Sequence, residues 1–292
     1  MDKVCAVIVT YNRKELLRKC LKEVFSQTRR PDHILVVDNA STDGTYEMIK
    51  EEYPEAEILK LEQNRGGAGG FYEGVKLAYE SGYKWLWLMD DDGYPLNNTL
   101  EMLLSIPNRD VVFRGCVVVD KEDPSKLAFD YPGNDSRPIR SLKELMHIYE
   151  NEGIIPGFVN PFNGVLISEE VIRKIGMPKA DFFMWGDEAE YMWRAKRNGI
   201  LIATVVHAKF VHPKDRMKRK RIKILGREIT LSYAEEPDRF AMLVRNQAYI
   251  YTRYISITKW LILTLLYVTI FRRHSWLLAI ASIQGALGRV GI

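Results

Sequence analysis

Apolar residues arrive along this chain in short β-prone runs separated by stretches of helical periodicity. The first run, Val4-Cys5-Ala6-Val7-Ile8-Val9, is continuous and has the character of a strand covered on both faces. Leu16, Leu17, Cys20, Leu21, Val24 and Phe25 then recur at helical spacing, with Asn12 placed to cap that helix. Pro31 breaks the chain, and Ile34-Leu35-Val36-Val37 reads as a second strand ending at Asp38-Asn39. Ser41-Thr42-Asp43-Gly44 is turn and cap chemistry, after which 45–52 can form a helix. A shorter strand is expected over 57–61, and a helix opens in the glycine-rich stretch 64–71 and runs to residue 79. A fourth strand, Trp85-Leu86-Trp87-Leu88-Met89, stops abruptly at Asp90-Asp91-Asp92-Gly93-Tyr94-Pro95. This rhythm predicts an α/β fold with a mainly parallel central sheet and helices on its faces.

Beyond Pro95 the pattern predicts a helix over 98–105, a strand over 110–119 and a helix over 141–150. The intervening 120–138, rich in Pro, Asp and Gly, is expected to be a long surface loop. A strand-like stretch, 158–167, is interrupted by Pro161 and Asn163-Gly164, and Ser168 caps a short helix to residue 175. Phe182-Phe183-Met184-Trp185-Gly186-Asp187-Glu188 leads into a helix over 189–197, and a last strand covers 200–206. After residue 213 the chain changes in kind. Residues 214–227 hold eight Lys and Arg against one acid, Asp215. Two strongly apolar stretches follow, 260–271 and 276–287, with Lys259 and Arg272-Arg273-His274 at their ends. Each is shorter than the roughly 20 residues that a membrane span needs. Short apolar helices with Trp at their ends and cations between them suit a membrane interface. A helical hairpin packed on the domain, or on a second subunit of a homo-oligomer, would carry the same pattern. The expected organisation is a globular domain over 1–213 and a basic linker with apolar helices over 214–292.

Composition narrows this little. Of 292 residues, 47% are hydrophobic and 27% charged, which argues an ordinary globular chain and excludes disorder. A net charge of +4 is small, its basic excess is local to the last third, and no nucleic-acid partner is expected. Cys5, Cys20 and Cys116 are far apart without metal-ligand spacing, so buried thiols in a reducing compartment are expected. The opening residues lead into a strand rather than reading as a signal peptide.

The candidate chemistry gathers where strands end. Asp90, Asp91 and Asp92 would project from the carboxyl edge of the sheet, where open α/β sheets bind ligands. Adjacent hard anions suit Mg2+ or Mn2+ with substrate phosphates, although a solvated acidic turn would look the same. Thr10 and Asp38 should reach the same edge. A carboxylate at position 38 can accept from the imide N–H of a uracil or thymine ring, or cap the helix that follows. The glycine cluster at 64–70 lets backbone approach a phosphate or sugar. Asp187-Glu188, beside three aromatic residues, can have a pKa raised toward that of a general base. Glu190 would face away and serve structure. His212, before a Pro at the sheet edge, could complete a mixed metal shell or be an ordinary structural histidine.

In combination these residues resemble a known family. Val7-Ile8-Val9-Thr10-Tyr11-Asn12-Arg13, Val36-Val37-Asp38-Asn39-Ala40-Ser41-Thr42-Asp43-Gly44-Thr45, Asn64-Arg65-Gly66-Gly67-Ala68-Gly69-Gly70-Phe71, the triple Asp, Trp185-Gly186-Asp187-Glu188-Ala189-Glu190-Tyr191 and His212 occur in the order found in family 2 glycosyltransferases of the GT-A fold. The glycine run and the Trp-to-Tyr acidic segment are most similar to its galactofuranosyltransferase branch. The resemblance implies metal-dependent, inverting transfer of a sugar from a nucleotide donor. It implies metal ligands at Asp90, Asp92 and His212, and donor contacts among Thr10, Tyr11, Arg13, Asp38, Asn39, Asn64, Gly66, Gly67 and Asp91. Asp38 would meet the uracil and Asp91 the donor sugar side. Trp185 is expected to contact the acceptor. The family's base is usually an Asp in an acidic pair, and here the pair is Asp187-Glu188, so the choice between them stays open.

The expected reaction therefore moves a sugar, galactofuranose from UDP-galactofuranose in the first instance, to a hydroxyl of a lipid-linked or glycan acceptor in cell-surface polysaccharide synthesis. Rhamnose from dTDP-rhamnose is the alternative donor. The basic run and apolar tail place the expected protein in the cytoplasm on the inner face of the cell membrane. A nucleotidyltransferase would need a Gly-rich, Lys-bearing loop after the first strand, which Thr10-Tyr11-Asn12-Arg13 lacks. A non-catalytic scaffold of the same fold would have no use for the acidic clusters.

Overall fold

Val4–Thr10 forms strand β1, buried along its whole length as its unbroken apolar run demands, and the sheet is built outward from it. The computed structural model describes residues 2–106, 110–133, 137–214, 217–224 and 227–291. After β1 come α1 (Lys14–Phe25), β2 (His33–Asp38), α2 (Thr45–Glu52), β3 (Glu57–Lys60), α3 (Gly66–Glu80) and β4 (Trp85–Asp90). β1 pairs in parallel with β2 and β4, and β2 with β3. The register sets Thr10 beside Asp38 and Val9 beside Asp90, so the expected ligand-binding residues do reach one edge.

The chain continues through β5 (Tyr94–Pro95), α4 (Thr99–Leu104), β6 (Val111–Asp120), β7 (Lys126–Pro132), β8 (Pro138–Ser141), α5 (Leu142–Tyr149), β9 (Ile154–Pro156), β10 (Asn163–Ser168), α6 (Glu169–Ile175), α7 (Asp187–Arg197) and β11 (Leu201–His212). The main path of the sheet runs β3-β2-β1-β4-β10-β6-β11-β5. β10 lies antiparallel between β4 and β6, and β6 and β11 are parallel again. One face is covered by α1, α2 and α4 through Leu17, Leu21, Ile49, Leu100 and Leu103. The other is covered by α3, α6 and α7 through Phe71, Val75, Val171 and Tyr191. α3 lies unusually close to the sheet. A Cβ on Gly70 would meet Val9 at 2.5 Å, and one on Gly74 would meet Val7 at 2.5 Å.

Several expectations change. Asn12 does not cap α1. It sits at φ 51, and its Oδ1 accepts from the Thr42 N–H at 2.7 Å, fastening the loop after β1 to the loop after β2. The expected loop over 120–138 contains β7 and the start of β8, apart from 134–136, which lie outside the described residues. Tyr131 anchors it: its hydroxyl accepts from Val118 N–H at 2.7 Å and donates to the Cys116 carbonyl at 3.1 Å. The last strand runs six residues past its expected end to His212, across a register shift between Val205 and Lys209. Most of the basic run is strand rather than linker: β12 (Lys218–Ile224) pairs antiparallel with β13 (Arg227–Tyr233). Residues 215, 216, 225 and 226 of that run lie outside the described residues.

The tail is helical. α8 (Pro237–Ile250), which the pattern did not suggest, ends in a π-helical turn, and α9 (Ile257–Ile270) and α10 (Ser275–Ala286) form from the two apolar stretches. Phe240, Val244, Tyr267 and Leu278 give these helices a core of their own, against which β12, β13 and Trp185 pack. None of the described helices is long and apolar enough to cross a membrane, and the segments Ile257–Ile270 and Arg272–Ala286 bend by 104° from one another.

Candidate active site at the carboxyl edge of the sheet

Asp38 closes β2 and is buried, with Oδ1 accepting from the Ser41 N–H at 2.9 Å. Its Oδ2 is buried without a hydrogen-bond partner among the described residues. Such an orphaned acceptor is costly unless a ligand satisfies it. Asn39, next along, is committed to the protein: its side chain accepts from Arg65 N–H at 2.8 Å and donates to the Gly66 carbonyl at 2.8 Å. It holds the glycine-rich loop rather than reaching out to a ligand. Tyr11 is 42% exposed at the rim.

The three aspartates after β4 diverge. Asp91 points inward. Its Oδ2 accepts from the Thr10 hydroxyl at 2.7 Å and its Oδ1 from Arg13 at 3.0 Å. Thr10 and Asp91, both expected to touch the donor, are joined to one another in the interior. Burial pushes its pKa up to about 6, against the pull of Arg13 and Thr10. Arg13 also reaches Asp92 at 3.2 Å and remains half-exposed. Asp92 lies 3.2 Å from His212 Nε2. His212 Nδ1 is 2.7 Å from the Pro213 carbonyl, which can only accept, so Nδ1 carries a proton and Nε2 is the atom turned toward the acids. Asp90 is held well above the usual carboxylate range by burial, then by Asp92 and Asp91.

The opposite wall comes from 182–188. Phe183 and Trp185 stand at φ 63 and 60, and Gly186 at φ 102, before α7 begins. Gly66 makes this approach possible, because a Cβ there would lie 1.9 Å from the Phe183 carbonyl oxygen. That oxygen accepts from Ala68 N–H at 3.1 Å. Gly66 therefore receives protein backbone, and Asn64 Oδ1 is taken by Gly66 N–H at 2.8 Å. Gly67 alone among the two expected donor-binding glycines opens onto free space. Asp187 is buried, and burial, the Glu188 charge and a hydrogen bond to Glu188 hold its pKa well above the usual range. Glu188 is only half-buried and its Oε2 accepts from Gly186 N–H at 2.9 Å. Asp90 and this pair are near enough to raise each other's affinity for protons, so the two acidic clusters face one cleft. Glu190 is buried between Arg194 at 2.9 Å and the Tyr254 hydroxyl at 2.7 Å, the structural role expected of it. Trp185 packs against the core of the C-terminal helices.

Among the described residues, no three His, Cys, Asp or Glu side chains converge on one point at ligand spacing. The donor set nonetheless fits a hard divalent cation: Asp90 and Asp92 leave the same strand end, His212 offers Nε2, and like-charge repulsion at Asp90 is what a cation would relieve.

Comparison with known proteins agrees with this geometry. The family model "Glycosyl transferase family 2" matches residues 5–151. Galactofuranosyltransferase GlfT1 of Mycolicibacterium smegmatis is 34% identical over 250 residues, covering 85% of this chain and 82% of that protein. The chain belongs to glycosyl transferase family 2. A second relative of this family 2 enzyme, the dTDP-rhamnosyl transferase RfbF of Shigella flexneri, is 26% identical over 83% of this chain and 78% of its own. The fold is shared with GalNAc-T7, crystallised with UDP, GalNAc and Mn2+, at a TM-score of 0.57 and 13% identity. That match covers 87% of this chain and 51% of the other. These likenesses make the chain a glycosyltransferase of the GT-A fold, acting with a nucleotide-sugar donor and a glycan acceptor. Of the family 2 motif residues, Asp38, Asp90, Asp92, Asp187, Glu188 and His212 gather at the carboxyl edge of the sheet, while the side chains of Thr10, Asn39, Asn64 and Asp91 are engaged in hydrogen bonds within the protein. Two contributors gave no signal in the sequence: Asn12, read as a helix cap, and Asn246 of α8, which reaches the 182–185 backbone. Asn246 stands between Arg245 and Gln247, so nothing in the local pattern set it apart.

Proposed function

We propose that this enzyme transfers galactofuranose from UDP-galactofuranose to a hydroxyl of a membrane-linked glycan acceptor, with inversion at the anomeric carbon. The observation that carries the reading is the meeting, at one sheet edge, of the unpartnered Asp38 oxygen, the Asp90/Asp92/His212 set and the Asp187-Glu188 pair. The similarity to GlfT1 favours galactofuranose, and the weaker similarity to RfbF keeps dTDP-rhamnose as the second donor to try. A divalent cation, Mn2+ or Mg2+, held by Asp90, Asp92 and His212 would neutralise the leaving diphosphate. Asp38 accepts from the base of the nucleotide, with Tyr11 and Gly67 on the open side of the donor site. Arg13 keeps Asp91 and Asp92 apart in direction while tempering their charge.

Asp187 is buried, and burial and the neighbouring Glu188 hold its pKa well above the usual carboxylate range, whereas Glu188 is the more exposed of the two and is oriented by Gly186 N–H. On this reading Glu188 is the base. It takes the acceptor hydroxyl proton as that oxygen forms its bond to the anomeric carbon, and the bond to the diphosphate oxygen breaks with its electron pair leaving on UDP. Trp185 lies at the acceptor end, beside β12, β13 and the C-terminal helices.

The same end offers a lipid-facing surface. Leu261, Ile262, Leu265 and Trp276 are exposed, Trp276 at 78%. Lys214, Lys218, Lys220 and Lys223 are exposed as well, and Lys220 Nζ lies 5.4 Å from the centre of the Phe271 ring at the end of α9. An apolar helix face with cations beside it supports peripheral seating on the inner, anionic face of the cell membrane. Incubation with UDP- and dTDP-sugars and metal, with and without acceptor, tests the donor. Transfer from UDP-galactofuranose is expected, and turnover of dTDP-rhamnose alone would replace this reading with the second.

A further inference from the structure

Asn246 lies on α8, in the part of the chain after the sheet, and is fully buried. Its Nδ2 stands 3.0 Å from the Phe182 carbonyl oxygen, 2.9 Å from that of Met184 and 2.9 Å from that of Trp185. Its Oδ1 accepts from Arg245 Nε at 3.1 Å. One amide thus serves three carbonyls of a single short turn. That turn has little else to hold it. Phe183 and Trp185 adopt left-handed backbone that side chains with a Cβ disfavour. The Phe182 carbonyl also accepts from Met184 N–H at 2.8 Å and lies 3.5 Å from an Arg245 Nη, and the Phe183 carbonyl accepts from Ala68 N–H at 3.1 Å, whereas among the described residues the Met184 and Trp185 carbonyls meet no donor but Asn246.

The turn ends where the acidic pair begins. Gly186 accepts from Glu190 N–H at 2.7 Å to open α7, and Gly186 N–H donates to Glu188 Oε2 at 2.9 Å. The direction of both carboxyl groups is therefore set by the path of 182–186. We infer that Asn246 is a positioning residue for catalysis: α8 fixes, through this one side chain, the strained turn that aims Asp187 and Glu188 into the cleft. The chemistry explains the residue type. Asp at 246 would set an oxygen against three carbonyl oxygens, and an apolar residue would leave those of Met184 and Trp185 without a donor. On this account α8 supports the acidic pair from outside the sheet.

The kinetic arm of the test rests on the proposed base role of Glu188, and the exchange arm does not. Wild type, Asn246→Ala, Asn246→Asp and, as a stability control, Ser282→Ala are compared. Ser282 joins α9 to α10 through Trp260 at 2.8 Å and does not touch the turn. Hydrogen exchange is read over 183–190, UDP affinity with Mn2+ by calorimetry, and kcat and donor KM by transfer. Both Asn246 variants should exchange about tenfold faster there, the scale of one lost buried hydrogen bond. Their kcat should fall about 100-fold, as expected for a misaimed catalytic group, with donor KM and UDP affinity within about twofold of wild type. Ser282→Ala should melt earlier with exchange over 183–190 and kcat unchanged. Should both Asn246 variants fail to fold, native-state exchange of the wild type decides: amides 183–187 should open together with α8. Wild-type exchange in the variants, a lower melting temperature with unchanged kcat, or a turn that opens independently of α8 would overturn the inference. A wild type inactive with every donor refutes the functional reading while the exchange result still decides the role of Asn246.

Discussion

His212 turns Nε2 to within 3.2 Å of Asp92 Oδ1 while Nδ1 is tied to the carbonyl of Pro213 at 2.7 Å. The backbone bond fixes the tautomer, and the Phe129 ring at 5.3 Å fixes the plane. His212→Ala should raise the Mn2+ concentration for half-maximal activity by about 10–100-fold, with most of kcat recovered at saturating metal. Metal titrations of initial rate measure this, and an unchanged metal dependence would remove His212 from the ligand set.

Asp187 and Glu188 should respond oppositely to amide substitution. Asp187→Asn retains a donor toward Glu188 and should keep kcat within about tenfold, whereas Glu188→Gln should lose about 100-fold or more, as removal of a general base does. Stability separates them further. Unfolded, Asp187 titrates near 3.8, and in the native state its pKa is held well above that, first by burial. Between the two values the native state keeps a proton that the unfolded chain has lost. Its stabilising contribution is full below about pH 4 and disappears as pH rises through the folded pKa. Asp187→Asn should therefore gain stability over wild type as pH rises from 5 to 8, read by thermal unfolding, and a wild-type pH slope in the variant contradicts the assignment.

At Asp38, one oxygen is satisfied by Ser41 and the other is buried without a partner among the described residues. Asp38→Asn removes a buried charge, so the free protein should be no less stable. UDP affinity should fall about tenfold or more, the value of a charge-assisted hydrogen bond of about 1.5–3 kcal/mol. Calorimetry with UDP decides, and wild-type affinity would exclude Asp38 as the base contact.

The glycines of the 64–70 loop should divide by what faces them. Gly66→Ala must displace the Phe183 carbonyl oxygen, 1.9 Å from the new Cβ, at a φ of 70. A loss of stability of about 1–3 kcal/mol is expected, with activity falling with it. Gly67→Ala meets nothing within 4 Å and should fold normally, raising donor KM if this face holds the donor. Denaturant melts and donor kinetics on the two variants check both. Equal stability of the two would show that the turn can move aside.

On the lipid side, Leu265→Glu with Trp276→Glu should abolish sedimentation with anionic vesicles. Each large apolar side chain moved from water contributes about 1.5–3 kcal/mol. Transfer to a short water-soluble acceptor should persist. Unchanged sedimentation would assign this face to another partner.

Much of the architecture was legible because burial leaves a periodic mark. Strand β1 and the helix α3 after the glycines were plain, since a strand covered on both faces must be apolar throughout and a helix on a sheet must be apolar on one side. The acidic runs at 90–92 and 187–188 were legible for the converse reason: apolar sequence stops there and charge begins. Strand β7 was hidden because its flanks are rich in turn residues; it pairs with its neighbours β6 and β8, and Tyr131 finds two backbone groups of β6.

What the sequence determined by itself was the set of chemical groups and the strand ends that carry them. Which of those groups face a ligand was decided only in three dimensions. Thr10 with Asp91, and Asn39 with the 65–66 backbone, satisfy each other across the fold, partnerships that the sequence did not announce. The aim of Asp187 and Glu188 was likewise settled far away, by an amide on α8 that neither periodicity nor motif could connect to them. Local sequence governs local dihedral and burial preferences; hydrogen-bond partnership between buried polar groups is a property of the packed whole.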